Sequence, residues 1–217
     1  MKPPRVFSLV TLLALGAPLA AQDPHFGLGL SLSVPTGALR SNDYPPAGGV
    51  TSPANESYDS TLGGQFTVSF PMDRKTALRL DIYGESSNGT NSAPGYQSYD
   101  LQHRLFSIGG EMQVFPGLGD AMRHRGGYLV GGLSLDLERF LSNVGNPYYY
   151  EVSTNRTRLG GLVGAGYSFR PYGGWRSNIE VAFHKTLSNT DAGSDAATGA
   201  PGTPAADFLR FTYGIVF

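Results

Sequence analysis

The sequence predicts an all-β fold, an eight-stranded antiparallel up-and-down transmembrane β-barrel. Three observations carry this reading. Eight extended stretches alternate apolar and polar residues at period two. The connections between them are alternately short and long, the habit of a barrel with one short-turn side and one long-loop side. The alternation also sorts Leu, Ile and Phe to one face of the strands and ionisable groups to the other.

The chain opens with MKPPRVFSLVTLLALGAPLAA, residues 1–21: Lys2 and Arg5, an apolar stretch from Val6 to Leu15, then small residues through Ala20 and Ala21. This is the three-part pattern of a secretory signal peptide, cleaved after Ala20 or Ala21. Gly16 and Pro18 interrupt the apolar run, which falls short of the roughly 20 residues a spanning helix needs. Removing residues 1–21 leaves 196 of the 217 residues, residues 22–217, enough for one barrel domain. Cys is absent, which excludes disulfides, thiolate metal sites and a lipid-bearing N-terminal Cys. No stretch of about 18 apolar residues occurs after the leader, so a bilayer crossing must use a closed barrel, where every backbone polar group is paired. A formal net charge of -1 argues against nucleic acid, which calls for a basic stripe.

The first strand, HFGLGLSLSV (25–34), sets Phe26, Leu28, Leu30, Leu32 and Val34 against Gly27, Gly29, Ser31 and Ser33. LGGQFTVSF (62–70) opposes Leu62, Phe66, Val68 and Phe70 to Gln65, Thr67 and Ser69. LRLDIYGE (78–85) opposes Leu78, Leu80 and Ile82 to Arg79, Asp81, Tyr83 and Glu85. The fourth runs over 101–115, with Phe106, Ile108, Met112 and Val114 against Ser107, Gly109, Glu111 and Gln113. YLVGGLSLDLER (128–139) places Leu129, Leu133, Leu135 and Leu137 opposite Tyr128, Ser134, Asp136 and Glu138. RLGGLVGAGYSF (158–169) and NIEVAFHK (178–185) repeat the pattern, with Arg158, Glu180 and His184 on their polar faces. The last, FLRFTYGIVF (208–217), has Leu209, Phe211, Tyr213, Ile215 and Phe217 on one face and Arg210 on the other.

Compact turns fall at PMDRK, PGLGDAMRHRG and RPYGGWRS; the other four joins are longer and rich in Ser, Asn, Gly and Pro. Both chain ends then lie on the short-turn side. Phe26, Phe70, Phe169 and Phe217 fall at that end as an aromatic girdle.

Magnitude decides which face meets lipid. Turned inward, the polar faces fill the lumen with Arg79, Asp81, Glu85, Glu111, Asp136, Glu138, Arg158, Glu180, His184 and Arg210. Turned outward, these ten groups would cost, at even about 1 kcal/mol each averaged over depth, nearly the whole ~5–15 kcal/mol stability of a domain. A lipocalin-like soluble barrel needs the inverse, an apolar interior around a ligand. The Gly, Ser and Thr that fill out the polar face instead suit the tight interior of a small membrane barrel.

As a pattern over residues 22–217, the chain resembles the small eight-stranded outer-membrane barrels of the OmpA and OmpX kind. The most specific element is its final strand: Leu209, Phe211, Tyr213, Ile215 and terminal Phe217 look like the signal such proteins present to the barrel-assembly machinery. The resemblance implies export, passage by periplasmic chaperones, and a multi-pass monomer in the outer membrane of a Gram-negative bacterium, among lipid and lipopolysaccharide. Nothing follows Phe217, so the peptidoglycan-binding domain of OmpA and its cell-wall tethering are not expected.

Six carboxylates, three arginines and His184 in so narrow a bore read as a salt-bridged plug, since buried charges must be paired; the competing reading is a porin-like ion path. Three cations, Arg104, Arg139 and Lys185, fall on the lipid-facing parity at the extracellular end. They either contact lipopolysaccharide phosphates or snorkel to water. Residues 183–189, FHKTLSN, are weakly similar to the His-containing segment of barrel lipid A deacylases. Thr186 stands where a nucleophilic Ser is expected, no Glu follows, and His184 points into the lumen, so no Ser/His/acid set in mutual reach can be constructed and no enzyme is expected.

GLVGAG (161–166) has the wrong glycine spacing for a nucleotide loop, and the N-x-S/T patterns at Asn55, Asn88 and Asn155 carry no message. Asp191 and Asp195 lack the ligand spacing of a calcium site, and no cofactor is expected. The expected function is structural or surface-interacting, through loops 36–60 and 141–153 with Tyr148, Tyr149 and Tyr150, which offer a partner large contact area at low entropy cost.

Overall fold

The computed structural model of the chain describes residues 23–44, 54–92, 99–143, 150–170, 175–188 and 202–217. The expected signal peptide at 1–21, Tyr148, Tyr149, Asp191 and Asp195 lie outside the described residues. Chain order gives β1 (His25–Pro35), a four-residue helix α1 (Gly37–Arg40), β2 (Asn42–Tyr44), β3 (Ala54–Tyr58), β4 (Thr61–Pro71) and β5 (Thr76–Ser92). There follow β6 (Tyr99–Val114), β7 (Gly126–Ser142), β8 (Val152–Phe169), β9 (Arg176–Thr186) and β10 (Phe208–Val216).

Eight of these strands, β1 and β4 through β10, are the staves of a closed barrel; all pairings are antiparallel between neighbours in sequence, and β10 returns to β1. The seam is sealed to the last residue, with Phe217 N donating to Phe26 O at 2.8 Å and Phe26 N to Phe217 O at 3.3 Å. Closure removes the edge that an open sheet would present to lipid.

The register fixes the bore. A path at right angles to the strands runs His25, Ser69, Arg79, Glu111, Gly132, Leu162, His184, Phe208 and re-enters β1 at Pro35. The advance from residue 25 to residue 35 is a shear of ten over eight staves, which goes with a strand tilt of about 40° and an interior that side chains fill.

Alternation then places the side chains. Leu28, Leu30, Leu32, Leu80, Ile82, Phe106, Ile108, Leu129, Leu133, Val163, Ile179, Val181 and Phe211 are exposed on the outer wall, Leu30 at 72% and Leu62 at 73%. Ser31, Ser33, Gln65, Arg79, Asp81, Glu111, Asp136, Arg158, Glu180 and Arg210 are buried inside. An apolar belt this continuous is far beyond what a water-soluble monomer exposes, and it suits hydrocarbon. The soluble, lipocalin-like inversion does not occur.

Several strands run past the expected limits. β5 continues to Ser92 and β6 begins at Tyr99, paired from Asn91↔Tyr99, so the stretch read as loop SSNGTNS is largely ladder. Ser, Asn and Thr lack the apolar alternation that marks a strand in lipid, yet here the outward face is exposed and the buried inward face is itself polar, Ser87 and Asn91. The first long loop also carries structure: β2 and β3 form a hairpin whose second strand pairs with the top of β5, Asn55↔Ser92 to Tyr58↔Gly89. The 116–125 turn, read as a plain connection, folds under the barrel: Phe115 and Ala121 are fully buried, and Gly117 and His124 take positive φ.

Candidate functional site: a filled lumen and a cationic rim

Three small apolar clusters divide the bore. Ala77, Phe115, Ala121, Tyr128, Val130, Leu162 and Ala182 form the floor; Tyr83, Leu105 and Phe208 lie at mid-height; Leu39, Tyr58, Leu101, Phe140 and Ala206 close the top. The charged groups form layers between them.

In the lower layer Arg79 of β5 reaches across to Glu180 of β9, with Nη1 to Oε2 at 2.6 Å and Nη2 to Oε1 at 2.9 Å, while its Nε donates to Glu111 Oε2 at 2.5 Å. Tyr128 donates its hydroxyl to Glu180 at 3.0 Å. Arg210 of β10 binds Asp81 at 3.1 Å and lies over the Tyr83 ring, 4.9 Å from its centroid. Asp81 also accepts from Gln65 Nε2 at 2.8 Å. Every carboxylate here thus has a cationic or neutral donor, which an apolar-walled bore requires.

In the middle layer His184 Nε2 meets Asp136 Oδ2 at 3.0 Å and its Nδ1 meets the Ala206 carbonyl at 3.0 Å. Ser134 Oγ lies 3.3 Å from the same Nε2, and Phe208 stacks on the ring at 4.6 Å. Asp136 accepts from Ser107 at 2.7 Å. Tyr83 shares its hydroxyl between Ser33, at 2.6 Å, and the Glu85 carboxylate.

This corrects one sequence-based expectation. Ser134, His184 and Asp136 do come within mutual reach, because the register brings β7 and β9 onto opposite sides of glycines in β8. A Cβ at Gly160 would lie 2.3 Å from Asp136 Oδ2 and 2.5 Å from both His184 Nε2 and Ser134 Oγ. The set is nonetheless no acyl-transfer triad. Ser and acid compete for one nitrogen, the other nitrogen is spent on a backbone carbonyl, and all three side chains are buried in the wall-enclosed bore.

In the upper layer Arg158 binds Glu138 at 2.9 Å and the carbonyls of Pro204 at 2.6 Å and Thr203 at 2.5 Å. Glu56 of β3 accepts from Asn91 Nδ2 and from Gly202 N, both at 3.1 Å. Residues 202–207, leading into β10, therefore lie across the mouth as a stopper. At the other end His25 Nε2 meets the Met122 carbonyl at 3.0 Å, and His124 Nδ1 meets Ser168 Oγ at 2.8 Å, tying the 116–125 turn to the staves. A cavity of about 10 Å³ remains at mid-height, among Asp81, Tyr83, Ser107, Ser134, His184 and Arg210. That is about one water.

All ten charged residues assigned to the lumen from alternation point inward, nine of them buried and Glu85 half-buried. Tyr83, Tyr128, Gln65, Ser107 and Ser134, which the alternation also sets on the polar face, take part in the same network. The loop contributions from Glu56, Thr203, Pro204 and Ala206 have no signal in the sequence.

Outside, Arg104, Arg139 and Lys185 are all exposed at the extracellular end of the belt. Arg104 and Arg139 are direct partners across β6 and β7. Lys185 lies 3.9 Å from Asp207. At the opposite end Trp175 packs edge-on against Phe217 at 5.9 Å and Tyr167 stacks with Phe169 at 6.4 Å, extending the aromatic girdle.

No protein-family model matches the sequence, and no curated protein is significantly similar to it. Its fold is similar to the crystal structure of the outer membrane protein OprG from Pseudomonas aeruginosa. The TM-score is 0.53 at 12% identity, over 91% of this chain and 97% of that one. It also aligns with Neisserial surface protein A, NspA, at a TM-score of 0.42 and 12% identity, over 90% of this chain and 98% of that one. At such identity the likeness to OprG is one of fold.

Proposed function

We propose that the chain is an integral outer-membrane barrel whose lumen serves as a structural plug, and that it acts through its lipid-facing wall and extracellular crown. The observation that carries this reading is the filled bore: among the described residues, charges are paired across it, chain segments pack into both ends, and the mid-height cavity holds about one water. An outer-membrane setting is supported by the fold shared with OprG and by the belt. The C-terminal strand, Leu209, Phe211, Tyr213, Ile215 and Phe217, suits a signal read by the assembly machinery. On this reading residues 1–21 are the leader removed on export, and the outer leaflet supplies lipopolysaccharide to the cationic rim.

A surface partner would meet the hairpin β2–β3 and the tops of β5 to β8, where Tyr150 is 93% exposed. Planar-bilayer recording is the test: a plug gives a sealed membrane. The porin-like alternative gives discrete conductance that changes when Glu138 or Arg158 is neutralised. An enzymatic role in lipid A modification is disfavoured by the buried, misaligned Ser134/His184/Asp136 set, and an unchanged acyl pattern in expressing cells would agree.

A further inference from the structure

We propose that Arg104 and Arg139 form a two-guanidinium clamp for one phosphate of a lipid head group, an assignment that rests on the membrane placement above. The two residues are direct cross-strand partners on the outward face of β6 and β7. Like charges directly opposite one another destabilise a strand pair, and nothing in the barrel's interior requires them there. Arg104 Nε donates to Gln102 Oε1 at 2.7 Å, which steadies the guanidinium of this exposed side chain. Arg139 Nη2 stands 3.8 Å from Glu151 Oε1, beyond hydrogen-bond reach, with both side chains about half exposed. A phosphate between the two planes converts repulsion into charge-assisted hydrogen bonds, the geometry arginine suits best.

The neighbouring rungs select a lipid over free phosphate. The next outward pair toward the membrane is Phe106↔Leu137, 45% and 44% exposed, followed by Ile108↔Leu135. An anionic head at the arginine rung therefore has an apolar track directly beneath it for an acyl chain. Lys185 does not join the clamp. It stands on β9, separated from β7 by β8, and its register partners are Gly161 and then Leu133, six residues along β7 from Arg139.

The test uses the full barrel, folded in detergent and checked by heat-modifiable migration, with diphosphoryl lipid A as the probe in native mass spectrometry. R104Q and R139Q each lower lipid occupancy roughly tenfold, and R104Q/R139Q falls no further than either, because the clamp acts as a unit. K185Q binds as the unaltered protein does, and millimolar inorganic phosphate fails to compete. Undiminished binding by both single arginine variants overturns the clamp while leaving the membrane reading intact, as does a loss in K185Q as large as theirs. Displacement by inorganic phosphate overturns the lipid assignment. A protein that neither inserts into vesicles nor shows heat-modifiable migration instead removes the membrane reading itself.

Discussion

Arg79 and Glu180 meet at 2.6 and 2.9 Å from staves that stand diametrically opposite, β5 and β9, with three strands between them on one side and three on the other. The pair is a strut across the bore. Removing either charge leaves its partner buried, and Arg79 also serves Glu111. R79L or E180L should each lower stability by about 3–5 kcal/mol. The check is the urea midpoint of the folded-to-unfolded transition in lipid vesicles; a loss below about 1 kcal/mol would contradict a load shared across the bore.

Glycine positions on the two faces should respond oppositely. At Gly160 a Cβ would sit within 2.5 Å of three polar atoms of the His184 cluster, whereas at Gly64 and Gly110, on the outer wall, nothing lies within 4 Å. G160A should cost about 1–3 kcal/mol through overpacking. G64A and G110A should be neutral or stabilise by about 0.4–1 kcal/mol. The same vesicle unfolding assay separates the two, and equal losses at all three sites would argue against this assignment of faces.

Acid should weaken the floor. Burial, aided by the neighbouring His25, Arg79 and Arg176, pushes His124 down to about 3. In the unfolded chain the ring titrates near its ordinary 6.5 and binds the proton that the folded state refuses. Its contribution is therefore complete above about pH 6.5 and is lost progressively as pH falls toward 3. His124 also touches Ser168, Phe115 and Tyr128, so H124Q serves as the comparison. The difference between wild type and H124Q should shrink or reverse between pH 7.5 and 5. A difference that is the same at both pH values would show that folding leaves the proton affinity of His124 unchanged, and would contradict its burial as a neutral ring.

The single tryptophan reports depth. Trp175 lies at the short-turn end, 59% exposed and packed against Phe217. Its fluorescence should shift to the blue on folding into vesicles, and lipids brominated near the head group should quench it more than lipids brominated at the chain ends. Stronger quenching by the deep label would place this end inside the hydrocarbon and displace the girdle.

Much of this architecture was legible in the sequence. Strand number, closure and the inward set from Arg79 to Arg210 follow from parity, because a one-residue slip would bury Leu80 and present Asp81 to lipid. Which inward groups touch was not legible. The contact of Arg79 with Glu180 depends on the shear, and the shear is set by long-range pairing that local alternation does not encode. The stopper at Thr203 and Pro204 was hidden for another reason: backbone carbonyls do the binding, and any residue supplies those. The upper ladder of β5 escaped because its outward face is exposed and its buried inward face carries polar Ser87 and Asn91, so the apolar period is lost.

The most direct test is a residue-by-residue accessibility scan, simplified by the absence of native Cys. Single cysteines carrying nitroxides at Leu80, Leu133, Val163 and Ile179, in protein folded into vesicles, should be strongly relaxed by membrane-dissolved oxygen and little by a water-soluble nickel chelate. Labels at Ser31, Ser107 and Ser134 should be shielded from both. The opposite pattern, with nickel reaching positions 80, 133, 163 and 179, would contradict the inside-out barrel from which every other inference here proceeds.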